Sequence, residues 1–397
     1  MFQKHCPGCF ENKQGFALCP HCGYDESASR SPLFLPHGIL LGETYRVGRV
    51  LGKPGGFGVT YLAWDIHLQN RVAVKEYLPR DIATRGSDSL NVAVEVAEQK
   101  ANFDFGLEQF LAEARMLAKF DHPHIVRVRN FFRAFGTAYL VMDYYDGRSL
   151  GDYLSHVQQA VEPKAAVNLL AHILEGLQYV HDHGVLHRDV KPHNIYLASN
   201  GRSILLDFGA ARQAAGERVE SLSVMLSEGY APLEQYQKNS PQGPWTDIYG
   251  VAATLYRMLK NRPPPPALDR LGDDALERDL DFSPELNKVL LKGLALHPEN
   301  RYAVAMDFKK DLYDALDMRD VGGVETHRIL PMPDTKPTMW PSPSEAVTKI
   351  GGNNIAAAIT AASQRAAHPA SVRREAWMIV AAILLGALII SLPLWFR

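Results

Sequence analysis

A lysine in VAVKE (Lys75), a glutamate in FLAEARML (Glu113), three polar groups in HRDVKPHN (Asp189, Lys191, Asn194) and an aspartate in LLDFG (Asp207) follow one another along a chain of 397 residues. Upstream of them lies LGKPGGFGVTYLAWD, Leu51 to Asp65, a glycine-rich turn between two strand-like runs. Backbone without Cβ atoms can close over phosphates, although glycine turns that merely join two strands are as common. Lys75 falls on the next strand, and Glu113 sits in a helical pattern from which a carboxylate can swing onto that lysine. Each residue alone says little. The order lysine, helix glutamate, polar loop and aspartate, with eighteen residues from Asp189 to Asp207, is specific as a set.

A second constellation opens the chain. All four cysteines lie within the first 22 residues, as CPGC (Cys6, Cys9) and CPHC (Cys19, Cys22), nine residues apart. Four thiolates at this spacing suit tetrahedral Zn²⁺ in a closed, structural site, because all four positions are sulfur. A redox switch of two dithiol pairs and an iron centre are the competing readings. Residues 1–26 therefore resemble a short zinc ribbon; His5 and His21 are adjacent but surplus.

The elements that must position these groups divide into two sets. Short β-like runs at Tyr45–Leu51, Thr60–Trp64 and Arg71–Glu76, with one helical pattern around Leu107–Phe120, predict a small sheet-dominated lobe. After Gly147, apolar positions recur at helical spacing in Ala165–His183, Asp247–Lys260, Pro284–Leu296 and Ala303–Leu316, which predicts a larger helical lobe. A cleft between the two lobes follows.

Together the motifs resemble the eukaryotic-type (Hanks-type) protein kinases, in particular the serine/threonine kinases of bacteria. The resemblance covers residues 45–316, and it extends to FDHPHIV, to YLVMDYYDGRSL as gatekeeper and hinge, to GYAPLEQY at the end of an activation segment and to HPENRY. It implies an α+β, bilobal fold that transfers the γ-phosphoryl of ATP to serine or threonine of protein substrates, with Mg²⁺ or Mn²⁺. On this resemblance Leu51, Gly52, Gly55, Gly56, Phe57, Gly58 and Val59 line the nucleotide cover. Lys75 holds the α/β-phosphates and is held by Glu113. Met142 is the gatekeeper, with Asp143 to Tyr145 offering backbone to adenine. Asn194 and Asp207 are oxygen ligands for the metal, Asp189 orients the substrate hydroxyl and takes its proton, and Lys191 steadies the transferring group. Glu234 and Arg301 match the pair that ties the activation segment to the large lobe.

Some positions depart from the family pattern. Gly55 and Gly58 have the expected spacing, but Gly52 stands one residue too far upstream; Thr60 occupies the place of a valine that covers adenine, and Ala252 replaces a glycine. Neither substitution removes a catalytic group. Arg188 implies control by a phosphate on the activation loop, with Ser221, Ser223 and Ser227 as candidate acceptors. Thr326 and Thr348 are candidate autophosphorylation sites for phosphothreonine-binding partners, set against ordinary linker polarity. A nucleotide-binding scaffold without transfer is the alternative from another class, and the intact Asp189, Asn194 and Asp207 set speaks against it. Small-molecule phosphotransferases share the loop but lack an APxE-like segment with a late arginine.

Composition bounds the rest. The formal charge of −2 spreads over 42 basic and 44 acidic residues, so no field draws the chain to nucleic acid. Absence of cysteine beyond Cys22 argues against a secreted disulfide scaffold and for a reducing compartment. Residues 317–372, rich in Pro, Ala, Thr and Ser, read as a flexible linker with an end-to-end distance of roughly 40 Å. Ala376–Phe396 is an uncharged apolar run of 21 residues, about 31 Å as a helix, with Trp377 and Trp395 near its ends. Arg373 and Arg374 precede it and Arg397 follows, so the positive-inside rule predicts a single-pass tail anchor in the cytoplasmic membrane, with the catalytic part in the cytoplasm.

Overall fold

The computed structural model describes residues 4–52, 56, 58–86, 88–208, 227–237 and 240–318. Gly55, Phe57, Ser221, Ser223, Thr326, Thr348, the run Ala376–Phe396 and all but the first two residues of the linker expected at 317–372 lie outside them. Among the described residues no helix is long and apolar enough to cross a membrane.

The small lobe is an antiparallel sheet of β1 (Leu40–Leu41), β2 (Tyr45–Leu51), β3 (Gly58–Asp65), β4 (Asn70–Tyr77), β7 (Val128–Ala134) and β8 (Thr137–Asp143), in the order β1-β2-β3-β4-β8-β7. Between β4 and β7 come a hairpin of β5 (Thr84–Arg85) and β6 (Val92–Ala93), then helix α1 (Lys100–Leu117). The helix buries Phe103, Leu107, Phe110, Leu111, Ala114 and Leu117, a stripe at helical spacing. Each of the Phe and Leu side chains contributes about 1.5–3 kcal/mol when fully buried. Period-two alternation along β4 sends Val72, Val74 and Glu76 to the core and Ala73 and Lys75 to the other face. Glu76 fixes that parity: fully buried, it accepts from Arg85 Nη2 at 2.5 Å, Tyr139 Oη at 2.7 Å and Tyr61 Oη at 3.0 Å.

The large lobe begins with β9 (Gly147–Ser149), α2 (Leu150–Val157) and α3 (Pro163–Asp182), followed by the short strands β10 (Ile195–Ala198) and β11 (Ser203–Leu205). Helices α4 (Pro244–Lys260), α5 (Leu276–Asp279), α6 (Pro284–Gly293) and α7 (Ala305–Ala315) complete it. The four helices expected in this lobe are all present, with ends displaced by a few residues. Helix α4 starts at Pro244, where a missing N–H costs nothing, and is apolar nearly all round, as a helix buried at the centre of a lobe must be.

The cysteine head is two copies of one turn. Cys6 N–H donates to Glu11 O and Cys19 N–H to Tyr24 O, both at 2.9 Å; Phe10 N–H returns to Cys6 O and Gly23 N–H to Cys19 O. Phe10 and Gly23 both take a positive φ, 64° and 68°. The head packs on the sheet rather than standing apart: Phe10 is buried with its ring 5.8 Å from that of Trp64 on β3.

Candidate active site

Catalytic-loop geometry starts from a buried carboxylate. Asp247, in the first turn of α4, accepts from the backbone N–H of His187 at 2.9 Å and of Arg188 at 2.6 Å, and its Oδ2 lies 2.8 Å from His181 Nε2. Burial alone would raise its pKa, but the bond to His181 and the other surrounding donors hold it below the usual carboxylate value. Arg188 is thereby kept at φ 67°, a left-handed conformation that a non-glycine residue adopts only when its surroundings impose it. Gln235 Nε2 secures the peptide on the other side of Arg188 by donating to Arg188 O at 2.7 Å. His187 is fully buried, accepts from Asp189 N–H at its Nδ1 and sits 2.8 Å from Leu206 O through Nε2. Those partners define a neutral ring protonated at Nε2, and burial lowers its pKa accordingly.

Asp189 is thus delivered into a cluster of donors. Asn194 Nδ2 donates to Asp189 Oδ2 at 2.7 Å and to its backbone carbonyl at 2.8 Å, and Lys191 Nζ lies 3.0 Å from Oδ2. Because the Asn194 amide nitrogen is turned to Asp189, its Oδ1 is the atom left to face a cation. Leu206 N–H donates to Asn194 O at 2.8 Å, which ties the loop to the residue before Asp207. Asp207, at φ 52°, accepts from Lys75 Nζ at 2.8 Å. The desolvation that would raise the Asp207 pKa is outweighed by Lys75, and the carboxyl stays ionised below its ordinary value. A carboxylate and a carboxamide oxygen on linked segments suit a hard divalent cation. Glu113 is buried on α1.

On the side of the cleft where the base is expected lies a small apolar cluster shared by both lobes. Ala73 and Met142 come from the sheet and Ala198 and Ile204 from β10 and β11, with Leu51, Tyr145, Tyr196 and Leu206 packed against them. Leu51, Met142 and Tyr145 were expected here, whereas Ala73 and Tyr196 were not. Val59 is corrected: it pairs with Glu76 on the core face and is fully buried, while its neighbour Thr60 pairs with Lys75 on the cleft face. Asp143 lies at the end of β8, ion-paired with Arg129, its N–H donating to Arg127 O at 3.0 Å. Of the glycine-rich turn, Gly52 has φ 64°, Gly56 O accepts from Arg80 N–H at 3.0 Å, and a Cβ on Gly58 would meet Glu76 O at 2.4 Å.

Ser227 has a different place from the one its sequence position suggests. It donates from Oγ to Asp189 Oδ1 at 3.0 Å and accepts from Lys191 Nζ at 2.8 Å. Its hydroxyl therefore joins the Asp189 and Lys191 cluster. Sequence reading also missed Asp247 and Gln235; an aspartate three residues into a helix that opens with proline was the available signal for the first. Glu234 and Arg301 meet as expected, at 2.7 and 2.9 Å, both buried, with Thr246 Oγ1 donating to the same carboxylate.

The four cysteines converge as well. Sγ of Cys6 lies 3.7 Å from that of Cys22, and Sγ of Cys9 lies 3.8 Å from that of Cys19, with all four ligand atoms within 4.8 Å of one another. A tetrahedron of sulfurs around Zn²⁺ at ~2.3 Å has edges of roughly 3.8 Å, so the head fits that ion.

Comparison with known proteins agrees with this geometry. The protein kinase domain family matches residues 45–313. Serine/threonine-protein kinase PknB of Mycolicibacterium smegmatis is 31% identical over 288 residues, covering 68% of this chain and 43% of PknB. The PknB of Mycobacterium leprae is 32% identical over 293 residues, 70% of this chain and 43% of the relative. The chain thus spans less than half the length of the curated relatives it matches. Among solved structures, the PpkA-294 apo form superposes with a TM-score of 0.65 at 33% identity, covering 70% of this chain and 99% of that one. The kinase domain of Mycobacterium tuberculosis PknI, at 24% identity and a TM-score of 0.53, shares the fold.

Proposed function

The chain belongs to the protein kinase family, and from that premise we propose that it transfers the γ-phosphoryl group of ATP to serine or threonine of protein substrates. The observation that carries this reading is the Asp189 cluster, with Lys191 and Asn194 on one carboxylate oxygen and Ser227 on the other. Phosphoryl transfer needs positioning and charge stabilisation more than covalent chemistry. Asp189 receives the substrate hydroxyl and accepts its proton as the oxygen attacks the γ-phosphorus, whose bond to the β–γ bridging oxygen breaks to release ADP; Lys191 Nζ lies beside that carboxylate to meet the charge on the phosphoryl oxygens. Lys75 binds the phosphates from the sheet side. Asn194 and Asp207 would hold a Mg²⁺ or Mn²⁺ ion, which would supply positive charge to offset that of the phosphates. The scaffold alternative has no observation in its favour.

Two further assignments complete the reading. The head holds one structural Zn²⁺ through Cys6, Cys9, Cys19 and Cys22, supported by the sulfur spacing. Ala376–Phe396 tethers the chain to the cytoplasmic membrane, supported by 21 uncharged residues in sequence. In sequence Thr326 and Thr348 fall between the kinase region and that run, and autophosphorylation there would create marks for phosphothreonine-binding partners.

Incubation with Mg·ATP and a basic protein, followed by phosphoamino-acid analysis, tests the acceptor class. Phosphoserine or phosphothreonine is expected. Label confined to tyrosine or to small molecules would overturn the assignment.

A further inference from the structure

The outer edge of β2 is finished by the cysteine head. β1 pairs with β2 only over two residues, Leu40 and Leu41, opposite Arg46 and Tyr45. Beyond it, the register between β2 and β3 shifts between Val47 and Val50, so Gly48 and Arg49 stand opposite the single residue Leu62. Such a bulge takes a backbone donor off the ladder. Here the donor is recovered by the first knuckle: Arg49 N–H donates to Pro7 O at 2.8 Å, and Arg49 Nε donates to Gly8 O at 2.9 Å. Both carbonyls lie between Cys6 and Cys9.

Shape on either side of the contact is matched. A Cβ on Gly48 would fall 2.4 Å from Pro7 O and 2.9 Å from the Phe10 ring, so the knuckle sits where a side chain would otherwise be. A Cβ on Gly8 would meet Tyr24 Cβ at 2.5 Å and Cys22 Sγ at 3.0 Å, which presses the first knuckle onto the second. Gly8 N–H in turn donates to Cys6 Sγ at 3.2 Å. The positions of the Pro7 and Gly8 carbonyls are therefore set by the packing of the thiolates. Two residues beyond Arg49, Leu51 enters the apolar cluster with Ala73 and Met142, and Gly52 follows at a left-handed φ.

We infer that the Cys6–Cys9 knuckle is a clamp on the nucleotide-binding strand, so that occupancy of the thiolate site sets the affinity of the cleft for nucleotide. This rests on the zinc reading of the head given above. With the ion in place the four sulfurs stay within tetrahedral distance and the two carbonyls stay under Arg49. Without it the thiolates separate, the bulge loses both acceptors, and Leu51 loses its fixed position over the base.

The test uses the full chain, its zinc content measured before and after extraction with a chelator. Binding of a fluorescent ATP analogue and amide hydrogen exchange are followed in both forms. Extraction should weaken nucleotide binding about threefold to tenfold, the range carried by one or two hydrogen bonds. It should also speed exchange across Val47–Leu51 while leaving α4 unchanged. Arg49→Ala keeps all four cysteines and the metal, and should lower affinity by a few-fold and blunt the response to extraction. A chain that releases its zinc with affinity and exchange unmoved, or an Arg49→Ala protein with wild-type affinity, overturns the clamp alone. A chain that neither holds nor takes up zinc overturns the clamp and the zinc reading together.

Discussion

Ser227 Oγ donates to Asp189 Oδ1 at 3.0 Å and accepts from Lys191 Nζ at 2.8 Å, so one hydroxyl joins the segment before GYAPLEQY to both charged groups of the catalytic loop. Ser227→Ala should therefore lower kcat by roughly tenfold to a hundredfold, the effect of losing a hydrogen bond to a charged group, with little change in KM for ATP. Ser227→Thr keeps the hydroxyl and should restore most of the rate. Equal loss in both variants would show that size, not the bond, matters.

Arg301 spends all its donors inside the large lobe, two on Glu234 and others on the carbonyls of Ala295 and Leu296. Both side chains of the pair are at most 1% exposed, so removing one leaves a buried charge without its partner. Arg301→Ala should cost about 3–5 kcal/mol in denaturant unfolding. The double variant Arg301→Met with Glu234→Leu should recover part of that loss. A single variant as stable as wild type would contradict the account.

Acid should loosen the fold before the carboxylates titrate. His37, beside Tyr24, is held down to about 4 by burial and then by the charges of Arg30 and Lys13; burial also lowers His122, His124 and His187. A folded-state value below the unfolded one means that the unfolded chain binds the extra protons. Stability is then whole above the ordinary histidine value of 6.5 and declines as pH falls toward 4. The melting temperature should drop across that window, and His37→Gln should remove one part of the drop. An unchanged slope in His37→Gln would exclude its contribution.

What the sequence reveals is the chemistry carried by motif order. Lys75, Asp189, Asn194 and Asp207 are recognisable because VAVKE, HRDVKPHN and LLDFG follow one another in the order that resembles the protein kinases, and the helices of the large lobe show themselves by period. Parity on β3 was harder: Val59 and Thr60 are adjacent, and only the cross-strand partners Glu76 and Lys75 tell which one faces the cleft. The β5 and β6 hairpin has strands of two residues each, too short for any period to register. Ser227 and Asp247 act through contacts spanning 36 to 66 positions, which local pattern does not carry. The docking of the head through Gly48, Arg49 and Phe10 depends on backbone carbonyls, and these have no residue signature.

In the proposed reaction the Lys191, Asn194 and Ser227 contacts hold Asp189 for proton transfer. The most direct test of this role compares wild type and Asp189→Asn for γ-phosphate transfer from Mg·ATP to a protein acceptor, alongside nucleotide affinity. Transfer by Asp189→Asn should fall by about a hundredfold or more, as for removal of a general base, with affinity within about threefold of wild type. Equal transfer by the two proteins, or no transfer by wild type despite intact nucleotide binding, would contradict it.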